Sequence, residues 1–435
     1  MWLKTAIVAL CACTALADDT ADRESWPLIF AAGEGDADEV TRLLVSGVDV
    51  HTRSKDGETA LHVAAIRGDL PTVRALMSAG AEVDARTPPG QTLYMTPAMW
   101  ALYHGHTELV SMLLQAGADP HAADENGKTL LSMSQEARQP AIEAMVRTRL
   151  VPNATLADGH IPAVGLGLYY TPPGTETYDI VRTALRAGYR HLDTAGFYGN
   201  EADVGRAVRD SGIPRAKIHI TSKVWPEESD EQWVARPYDM ALAAVQESVH
   251  LLGTHADLYL LHAPFNGPAA RLQYWLALEH AQASGLVKQI GVSNFGVAHI
   301  KELLDSPQTR VRPAANEVEL HPFLRKPAIE AFCADHGITV IAYSPLARAQ
   351  RLEHPTLAAV AKSQKVSAAQ VMVRWAVQKG FVPLPKSVRE ERVLQNIDVF
   401  TFTLSDSEMH TLDQLDEQLF TEWEEWGSRD PTMLP

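Results

Sequence analysis

The amino-acid sequence predicts an α/β protein in which an all-α stack of helical repeats precedes a (β/α)₈ TIM barrel. Two patterns carry this prediction. Glycines recur at a nearly constant interval in the first third of the chain, and eight short β-rich runs alternate with helical stretches from residue 151 onward. A chain of 435 residues has room for both parts.

Composition and charge limit the classes of function. Hydrophobic residues make up 46% of the chain and charged residues 21%, as in ordinary globular proteins. The formal net charge of -16 repels phosphate backbones and anionic lipids, so we expect no nucleic-acid partner. No apolar run is long enough to span a bilayer. Outside the first 17 residues Cys333 is the only cysteine, which predicts that no intramolecular disulfide forms.

Residues 1–17 have the pattern of a signal peptide. A single Lys4 precedes an apolar run, and Ala15-Leu16-Ala17 provides the small residues of a cleavage site. We therefore expect a mature chain that begins near Asp18 and enters the secretory pathway, either retained in the endoplasmic reticulum lumen or secreted. Cytoplasmic residence is the alternative if the leader is not cleaved.

The repeats extend over residues 24–149. Gly47, Gly80 and Gly117 are spaced by 33 and 37 residues, each after an apolar helical pattern. The segment DGETALHVAAIRGDLPTVRALMSAGAEVDA resembles the ankyrin repeat, with Thr59 placed to cap a first helix and Gly80 to end a second. Such helix pairs form a core only by stacking.

The resemblance to ankyrin repeats implies a surface that binds a protein partner, and a stabilising segment without a partner is the alternative. Apolar residues in one loop, Leu93, Tyr94 and Met95, favour partner binding. The histidines of this region are expected to pack or cap helices rather than bind metal, because no Cys or carboxylate lies at ligand spacing.

The second region, residues 151–435, contains the eight predicted strands. No GxGxxG motif follows an early strand, so a dinucleotide-binding open sheet is disfavoured relative to a closed barrel. Residues 155–163 are expected to form a hairpin that closes the barrel floor. The eight β-rich runs begin at Val164, Arg190, Lys217, Ala256, Val287, Ala314, Ile338 and Phe381.

Polar residues follow the predicted strands at their carboxyl ends, which is where such barrels place their active sites. The set comprises Asp193, Tyr198, Lys223, His262, Ser293, Asn294, Glu317, Tyr343, Ser344, Lys386 and Ser387. Within it, the segments GYRHLDTAGFYGNE and IGVSNF are the most specific, and residues 155–427 resemble an aldo-keto reductase.

This resemblance implies a role for each matching residue. The catalytic tetrad falls on Asp193, Tyr198, Lys223 and His262, and the cofactor is NADPH. His262, Trp225 and Tyr169 are expected to contact the substrate, and no metal site is expected. Cofactor-binding residues are expected at Asp193, Ser293, Asn294, Glu317, Tyr343, Ser344, Leu346, Lys386, Ser387, Arg392, Gln395 and Asn396.

The chemistry of these side chains supports the same expectation. Reducing a carbonyl group needs a hydride, which protein side chains lack, and a proton, which a tyrosine can donate. We expect the Lys223 ammonium to lower the pKa of Tyr198, Asp193 to hold Lys223, and neutral His262 to orient the carbonyl. Lys386 and Arg392 suit a 2′-phosphate. The alternative is a non-catalytic adaptor that senses nicotinamide and recruits partners through the repeats.

The chain departs from the family pattern at several positions. Glu317 and Gln395 stand where the family usually has Gln and Glu, respectively. Ala263 and Tyr169 replace tryptophans, which predicts a wider pocket and bulkier substrates. As a carboxylate, Glu317 can only accept hydrogen bonds and would make the cofactor site more negative.

Overall fold

The computed structural model describes residues 24–89, 93–150, 153–156, 159–226, 233, 235–422 and 430–434. The predicted signal peptide lies outside these residues. The chain divides between Leu150 and Val151 into two compact units, which we call the repeat unit and the barrel unit. Within the described part of the chain, no helix has the length and apolar character needed to cross a bilayer.

The described residues of the repeat unit form four consecutive helix pairs, in line with the repeat period of the sequence. Thr59, Thr96 and Thr129 cap the first helices of the second, third and fourth pairs by accepting a backbone N–H from the third helical residue. The helices are α1 (Pro27–Glu34), α2 (Ala37–Val45), α3 (Ala60–Arg67), α4 (Leu70–Ser78), α5 (Pro97–Tyr103), α6 (Thr107–Gln115), α7 (Leu130–Glu136) and α8 (Pro140–Leu150).

Hydrogen bonds between successive repeats follow the period of the sequence. Arg53 Nη1 donates to the backbone oxygen of Arg86 at 2.7 Å, and Arg86 Nη1 donates to that of Ala123 at 2.5 Å. The ring of His62 contacts the backbone oxygen of Met95 at 3.3 Å through Nε2. The sequence interval therefore corresponds to the step from one helix pair to the next.

The loop before α5 differs in part from the prediction. Met95, expected to be available to a partner, is buried in the stack at 2% exposure, because it lies directly before α5. Tyr94 is 36% exposed, and the guanidinium of Arg86 lies 4.6 Å from the centre of its ring. Only part of this apolar segment is therefore accessible.

The barrel unit has eight parallel strands paired in chain order, which confirms the predicted fold. Its strands are β3 (Leu166–Gly167), β4 (His191–Asp193), β5 (His219–Val224), β6 (Ala256–Leu261), β7 (Val287–Ser293), β8 (Ala315–Glu319), β9 (Thr339–Tyr343) and β10 (Val382–Pro383).

Helices follow the strands and cover the outside of the barrel. They are α9 (Thr175–Arg186), α10 (Glu201–Asp210), α11 (Pro237–Leu252), α12 (Gly267–Ala283), α13 (Val297–Asp305), α14 (Pro327–Asp335), α15 (Pro355–Gln364), α16 (Ala368–Gln378), α17 (Glu390–Ile397) and α18 (Asp406–Asp413). Two helices, α15 and α16, separate β9 from β10, so the last crossover is longer than the others.

Backbone hydrogen bonds between the first and last strands close the barrel. Gly165 donates its N–H to Pro383 at 3.0 Å, and Gly167 donates to Pro385 at 3.3 Å. A Cβ atom on Gly165 would lie 2.5 Å from His191 Nδ1, so a larger residue would push these elements apart. The glycines of this segment thus serve close packing, consistent with the absence of a dinucleotide-binding motif.

The predicted hairpin is present and lies at the barrel floor. Strands β1 (Asn153–Leu156) and β2 (Gly159–Pro162) pair antiparallel. Ile161 is fully buried and belongs to a core cluster with inward-facing residues of the barrel strands, among them Leu258, Leu260 and Ile341. Since the floor is filled by apolar side chains, the opposite end of the strands is left for polar groups.

Candidate active site

A cleft of about 570 Å³ opens at the carboxyl ends of the barrel strands. All but one of the predicted site residues line it, and Lys223 is the exception because its side chain is fully buried. The predicted residues that line the cleft are Tyr169, Asp193, Tyr198, Trp225, His262, Ser293, Asn294, Glu317, Tyr343, Ser344, Leu346, Lys386, Ser387, Arg392, Gln395 and Asn396.

Lys223 is the centre of a buried ionic cluster. It lies near the end of β5 and donates to Asp193 Oδ1, at the end of β4, at 2.5 Å and to the backbone oxygen of Thr194 at 3.1 Å. Glu317 Oε1, on β8, lies 3.3 Å from the Lys223 Nζ atom. The closed barrel brings these three strands together, so one ammonium faces two carboxyl groups.

The pKa values in this cluster reflect burial and charge. Burial lowers the pKa of Lys223, but Asp193 and Glu317 outweigh that effect and raise it above its ordinary value, so the amine is charged. Burial raises the pKa of Asp193 despite the opposing effect of Lys223. The pKa of Glu317 is raised well above its ordinary value, first by burial and then by the Asp193 carboxylate.

Tyr198 stands over this cluster, at the end of a 3₁₀ turn (Gly196–Tyr198) that follows β4. The Nζ atom of Lys223 lies 5.3 Å from the centre of its ring, and the ring of His262 lies 5.7 Å away. Lys223 lowers the pKa of Tyr198, as expected, but burial raises it by more, so the pKa lies above its ordinary value. The phenol is therefore protonated at neutral pH and has a proton to donate.

His262 follows β6 and faces Tyr198. Burial, reinforced by the Lys223 charge, holds the pKa of its imidazole well below the ordinary value, so the ring is neutral as predicted. Its backbone oxygen accepts a hydrogen bond from Asn294 Nδ2 at 2.9 Å, which ties the ends of β6 and β7 together. A neutral ring can donate one hydrogen bond to a carbonyl oxygen.

Amide and hydroxyl groups form the neighbouring wall of the cleft. Ser293 Oγ donates to the backbone oxygen of Glu317 at 3.0 Å, and Tyr343 OH donates to Asn294 Oδ1 at 2.9 Å. Asn294 has a left-handed backbone conformation with φ of 62°, which Asn tolerates better than most residues. Ser293 and Asn294 are both buried, and these hydrogen bonds fix the positions of their side chains.

The far end of the cleft carries positive charge. Lys386 follows β10, and Arg392 lies in the first turns of α17; both are exposed. Neither forms an ion pair with any carboxylate of the described residues, so both are available to an anion. Ser387, Gln395 and Asn396 lie at the same end, as the sequence pattern predicted.

Aromatic side chains surround the entrance. The predicted Trp225 stacks on Phe197 with ring centres 4.9 Å apart, and Tyr169 lies 5.0 Å from Tyr198. Tyr170, at 57% exposure, extends this wall. Phe197 and Tyr170 were not predicted, although each adjoins a predicted residue in the chain and could have been found by that adjacency.

Arg348 and Glu422 also line the cleft and were missed. Ser344 Oγ donates to Glu422 Oε1 at 2.5 Å, and Arg348 Nη1 lies 3.5 Å from Glu422 Oε2. Glu422 comes from the segment after α18, and its main chain is anchored through Thr421, whose N–H donates to Glu319 at 2.8 Å. No motif in the sequence connects these distant positions.

Comparison with known proteins assigns both regions to families. Residues 164–417 match the model of the aldo/keto reductase family, and residues 28–124 match that of ankyrin repeats in three copies. An aldo-keto reductase of a Mycobacterium species is 41% identical over 61% of this chain and 94% of its own length. The glyoxal reductase of Bacillus subtilis is 38% identical over 62% and 95%, respectively.

A solved structure has the same fold as the barrel unit. It is an aldo-keto reductase enzyme from a deep-sea metagenome library of the Medee basin, with 36% sequence identity and a TM-score of 0.57. The similarity covers 63% of this chain and 98% of that one. The relatives therefore match the barrel unit over nearly their whole length.

Proposed function

This chain belongs to the aldo/keto reductase family, whose model matches more than half of it, and from that premise we propose that it reduces an aldehyde or ketone to an alcohol with NADPH. Oxidoreductase chemistry on carbonyl compounds is what its relatives support. The observation that carries the finer proposal is the convergence of Tyr198, Lys223, Asp193 and His262 at one cleft.

The chemistry of the cleft lining supports a phosphorylated dinucleotide as the cofactor. Its far end offers Lys386 and Arg392, which pair with no carboxylate that the structure describes and which suit the 2′-phosphate that distinguishes NADPH from NADH. Its near end offers the side chains of Ser293 and Asn294, which suit a carboxamide, and the ring of Tyr343, which suits stacking on a flat ring. When bound, the nicotinamide supplies the hydride that protein side chains lack.

The side chains of this chain supply the proton and the geometry. Tyr198 donates its phenolic proton to the carbonyl oxygen as negative charge develops there. The Lys223 ammonium stabilises the phenolate left behind, and Asp193 keeps that ammonium in place. Neutral His262 orients the carbonyl by a hydrogen bond, while Trp225 and Tyr169 exclude water from the reacting groups.

A cofactor titration followed by a carbonyl panel tests this proposal. We expect the purified full chain to bind NADPH and to consume its absorbance with at least one aldehyde or ketone, glyoxal being a first choice because a relative is named for it. Tight NADPH binding without turnover on any carbonyl would instead favour the sensing adaptor. No binding at all would contradict both proposals.

We further propose that the repeat unit binds a protein partner. Its support is the ankyrin family match and the exposure of two large apolar side chains, Val45 at 84% and Tyr94 at 36%. The test is to compare the proteins crosslinked to the full chain with those crosslinked to a Val45→Asp, Tyr94→Asp variant. A specific partner lost in the variant supports the proposal, and identical sets contradict it.

A further inference from the structure

Glu317 is a buried acid that shares a single ammonium with a second carboxyl group. Its side chain is 3% exposed and that of Asp193 4%, and both face the fully buried Lys223. No N–H or O–H donor of another described residue reaches Asp193 Oδ2 or Glu317 Oε2, although both atoms are buried. Asp193 Oδ1 and Glu317 Oε1 lie 2.5 and 3.3 Å from the same Lys223 Nζ atom, and the two carboxyl groups interact with each other.

Charge balance limits the protonation states that Asp193, Glu317 and Lys223 can adopt together. One ammonium balances one carboxylate, and a second, uncompensated carboxylate in a buried site is strongly unfavourable. Two carboxyl groups in contact avoid this cost when one proton is shared between them, and that proton also supplies the donor that Oδ2 or Oε2 lacks. A glutamine at position 317 could not hold such a proton.

The other groups around the cluster do not supply a second positive charge. The His262 ring, from β6, is neutral, and the His191 ring, deeper in the barrel on β4, has a pKa lowered well below its ordinary value by burial and by neighbouring charges. Glu201, from α10, accepts a hydrogen bond from Ser222 and adds no cation. Lys223 is therefore the sole cation among the described groups that face Glu317.

We propose that Glu317 is a proton-holding positioning residue: it is a neutral carboxylic acid that shares its proton with Asp193, and it sets the pH range over which Lys223 assists Tyr198. The first half concerns the protein alone, and the second half rests on the proposed function. When the shared proton is lost at alkaline pH, the cluster gains a negative charge below the phenol. That charge disfavours phenolate, so Tyr198 becomes a weaker acid.

Infrared spectroscopy of the protein without added cofactor tests the first half by counting protonated carboxyl groups. At pH 7 the carbonyl band of buried carboxylic acids should lose the intensity of one group in Glu317→Gln. It should lose the same intensity in Asp193→Asn, because the remaining carboxylate then pairs with Lys223 and ionises. In Lys223→Met the band should instead gain the intensity of about one group, because neither carboxyl group then has a counter-ion and both stay protonated.

A matched control is Glu330→Gln. Glu330 is a partly buried carboxylate in an ion pair with Arg325, whose guanidinium donates to it at 2.9 and 2.6 Å, so its removal should leave the band unchanged. Glu317→Gln is nearly isosteric, and circular dichroism verifies its fold. An unchanged band in Glu317→Gln would overturn the proposal, whether or not Lys223→Met folds.

The second half is tested by the pH dependence of kcat/KM for carbonyl reduction. We expect the alkaline limb of the wild-type profile to move upward by about one pH unit or more in Glu317→Gln, which cannot gain the extra charge. If the alkaline limb lies at the same pH in the wild type and in Glu317→Gln, the positioning role is overturned even when the infrared band is lost. Absence of turnover in both proteins would overturn the proposed function instead, and the infrared count would still decide the protonation of Glu317.

Discussion

The repeat unit and the barrel unit bury polar side chains in different ways. In the repeat unit, His62 is completely buried but neutral, and its ring contacts Thr59 Oγ1 at 2.8 Å and the next repeat at Met95. In the barrel unit, Lys223, Asp193 and Glu317 are equally buried, yet Lys223 is charged and two carboxyl oxygens lack a donor. Buried charge is costly, so a fold that retains it indicates chemistry rather than stability.

The contacts also differ in the separation that they span along the chain. Bonds between repeats join residues one period apart, such as Arg53 and Arg86, so a single interval describes most of the stack. The ionic cluster joins residues from three strands whose spacing follows no period. The repeat unit is therefore explained by a local rule applied four times, whereas the active site depends on closure of the whole barrel.

The largest effect on activity is expected at Tyr198, the proposed proton donor of the barrel unit. Tyr198→Phe removes the acid without changing the shape of the ring, and we expect kcat/KM for carbonyl reduction to fall on the order of 10²- to 10⁴-fold. NADPH binding, measured by fluorescence titration, should be nearly unchanged. The matched control is Tyr170→Phe at the exposed rim of the cleft, which should keep its turnover; equal losses in both variants would contradict the role of Tyr198.

A second prediction concerns Glu58, a carboxyl group that the repeat unit buries and that forms no ion pair with any residue that the structure describes. Glu58 is 4% exposed, and burial, with a smaller effect of Asp56, raises its pKa from 4.5 to about 7. The folded protein binds the Glu58 proton more tightly than the unfolded chain does. The stabilisation from protonated Glu58 is therefore complete below pH 4.5 and is lost as the pH rises through 7. We expect Glu58→Gln to stabilise the repeat unit at pH 8 by about 2–3 kcal/mol.

Hydrogen exchange at matched pH measures this effect separately in each unit. Amides of α3 and α4 should exchange more slowly in Glu58→Gln than in the wild type at pH 8, and at the same rate at pH 4. Amides of the barrel strands should not change. A stabilisation that is equal at both pH values would mean that the carboxyl group of Glu58 is not the titrating group.

His62 should give the opposite pH dependence in the same unit. Burial lowers the pKa of its ring from 6.5 to about 4, so its contribution to stability is present above pH 6.5 and is lost as the pH falls through 4. His62→Asn should cost about 1–3 kcal/mol at pH 7, because it removes the contacts with Thr59 and Met95.

The measurement is again hydrogen exchange, compared between His62→Asn and the wild type at each pH. The difference between the two proteins should shrink toward pH 4, where the wild type must protonate a buried ring. His121→Asn is a suitable control, because His121 is an exposed histidine in the turn that follows α6 of the same unit. A constant difference across the pH range would show that the ring does not titrate.

Most of the fold could be predicted from the sequence because its determinants are local. Threonines before helices and the glycine period locate the repeats, and strand runs followed by polar residues locate the cleft. The polar lining residues at the strand ends, such as Asp193, His262 and Ser293, were predicted because parallel strands bring their carboxyl ends to one edge. Arg392, Gln395 and Asn396 were predicted only from the family resemblance. The pairing of Asp193 with Glu317 could not be predicted, since it depends on how the barrel closes around Lys223.

Other features were missed for the same physical reason. The net effect on the pKa of Tyr198 is a balance between burial and the Lys223 charge, and burial cannot be read from residue types alone. The contact of Glu422 with Ser344 depends on the path of the chain after α18. In the repeat unit, Met95 was expected on the surface, but its position directly before α5 places it in the core.

The smallest effect is expected from the exposed cations of the barrel unit, because charge in water is strongly screened. Arg392→Ala or Lys386→Ala should weaken NADPH binding about tenfold each and leave NADH binding nearly unchanged, since only NADPH carries the 2′-phosphate. Arg389→Ala is the matched control, because Arg389 is an exposed cation beside them that does not line the cleft. Calorimetric titration with both cofactors measures the ratio of the Kd for NADPH to the Kd for NADH in each variant. Equal weakening of NADPH and NADH would mean that these cations act on charge shared by both molecules, and the preference for NADPH would then need another cause.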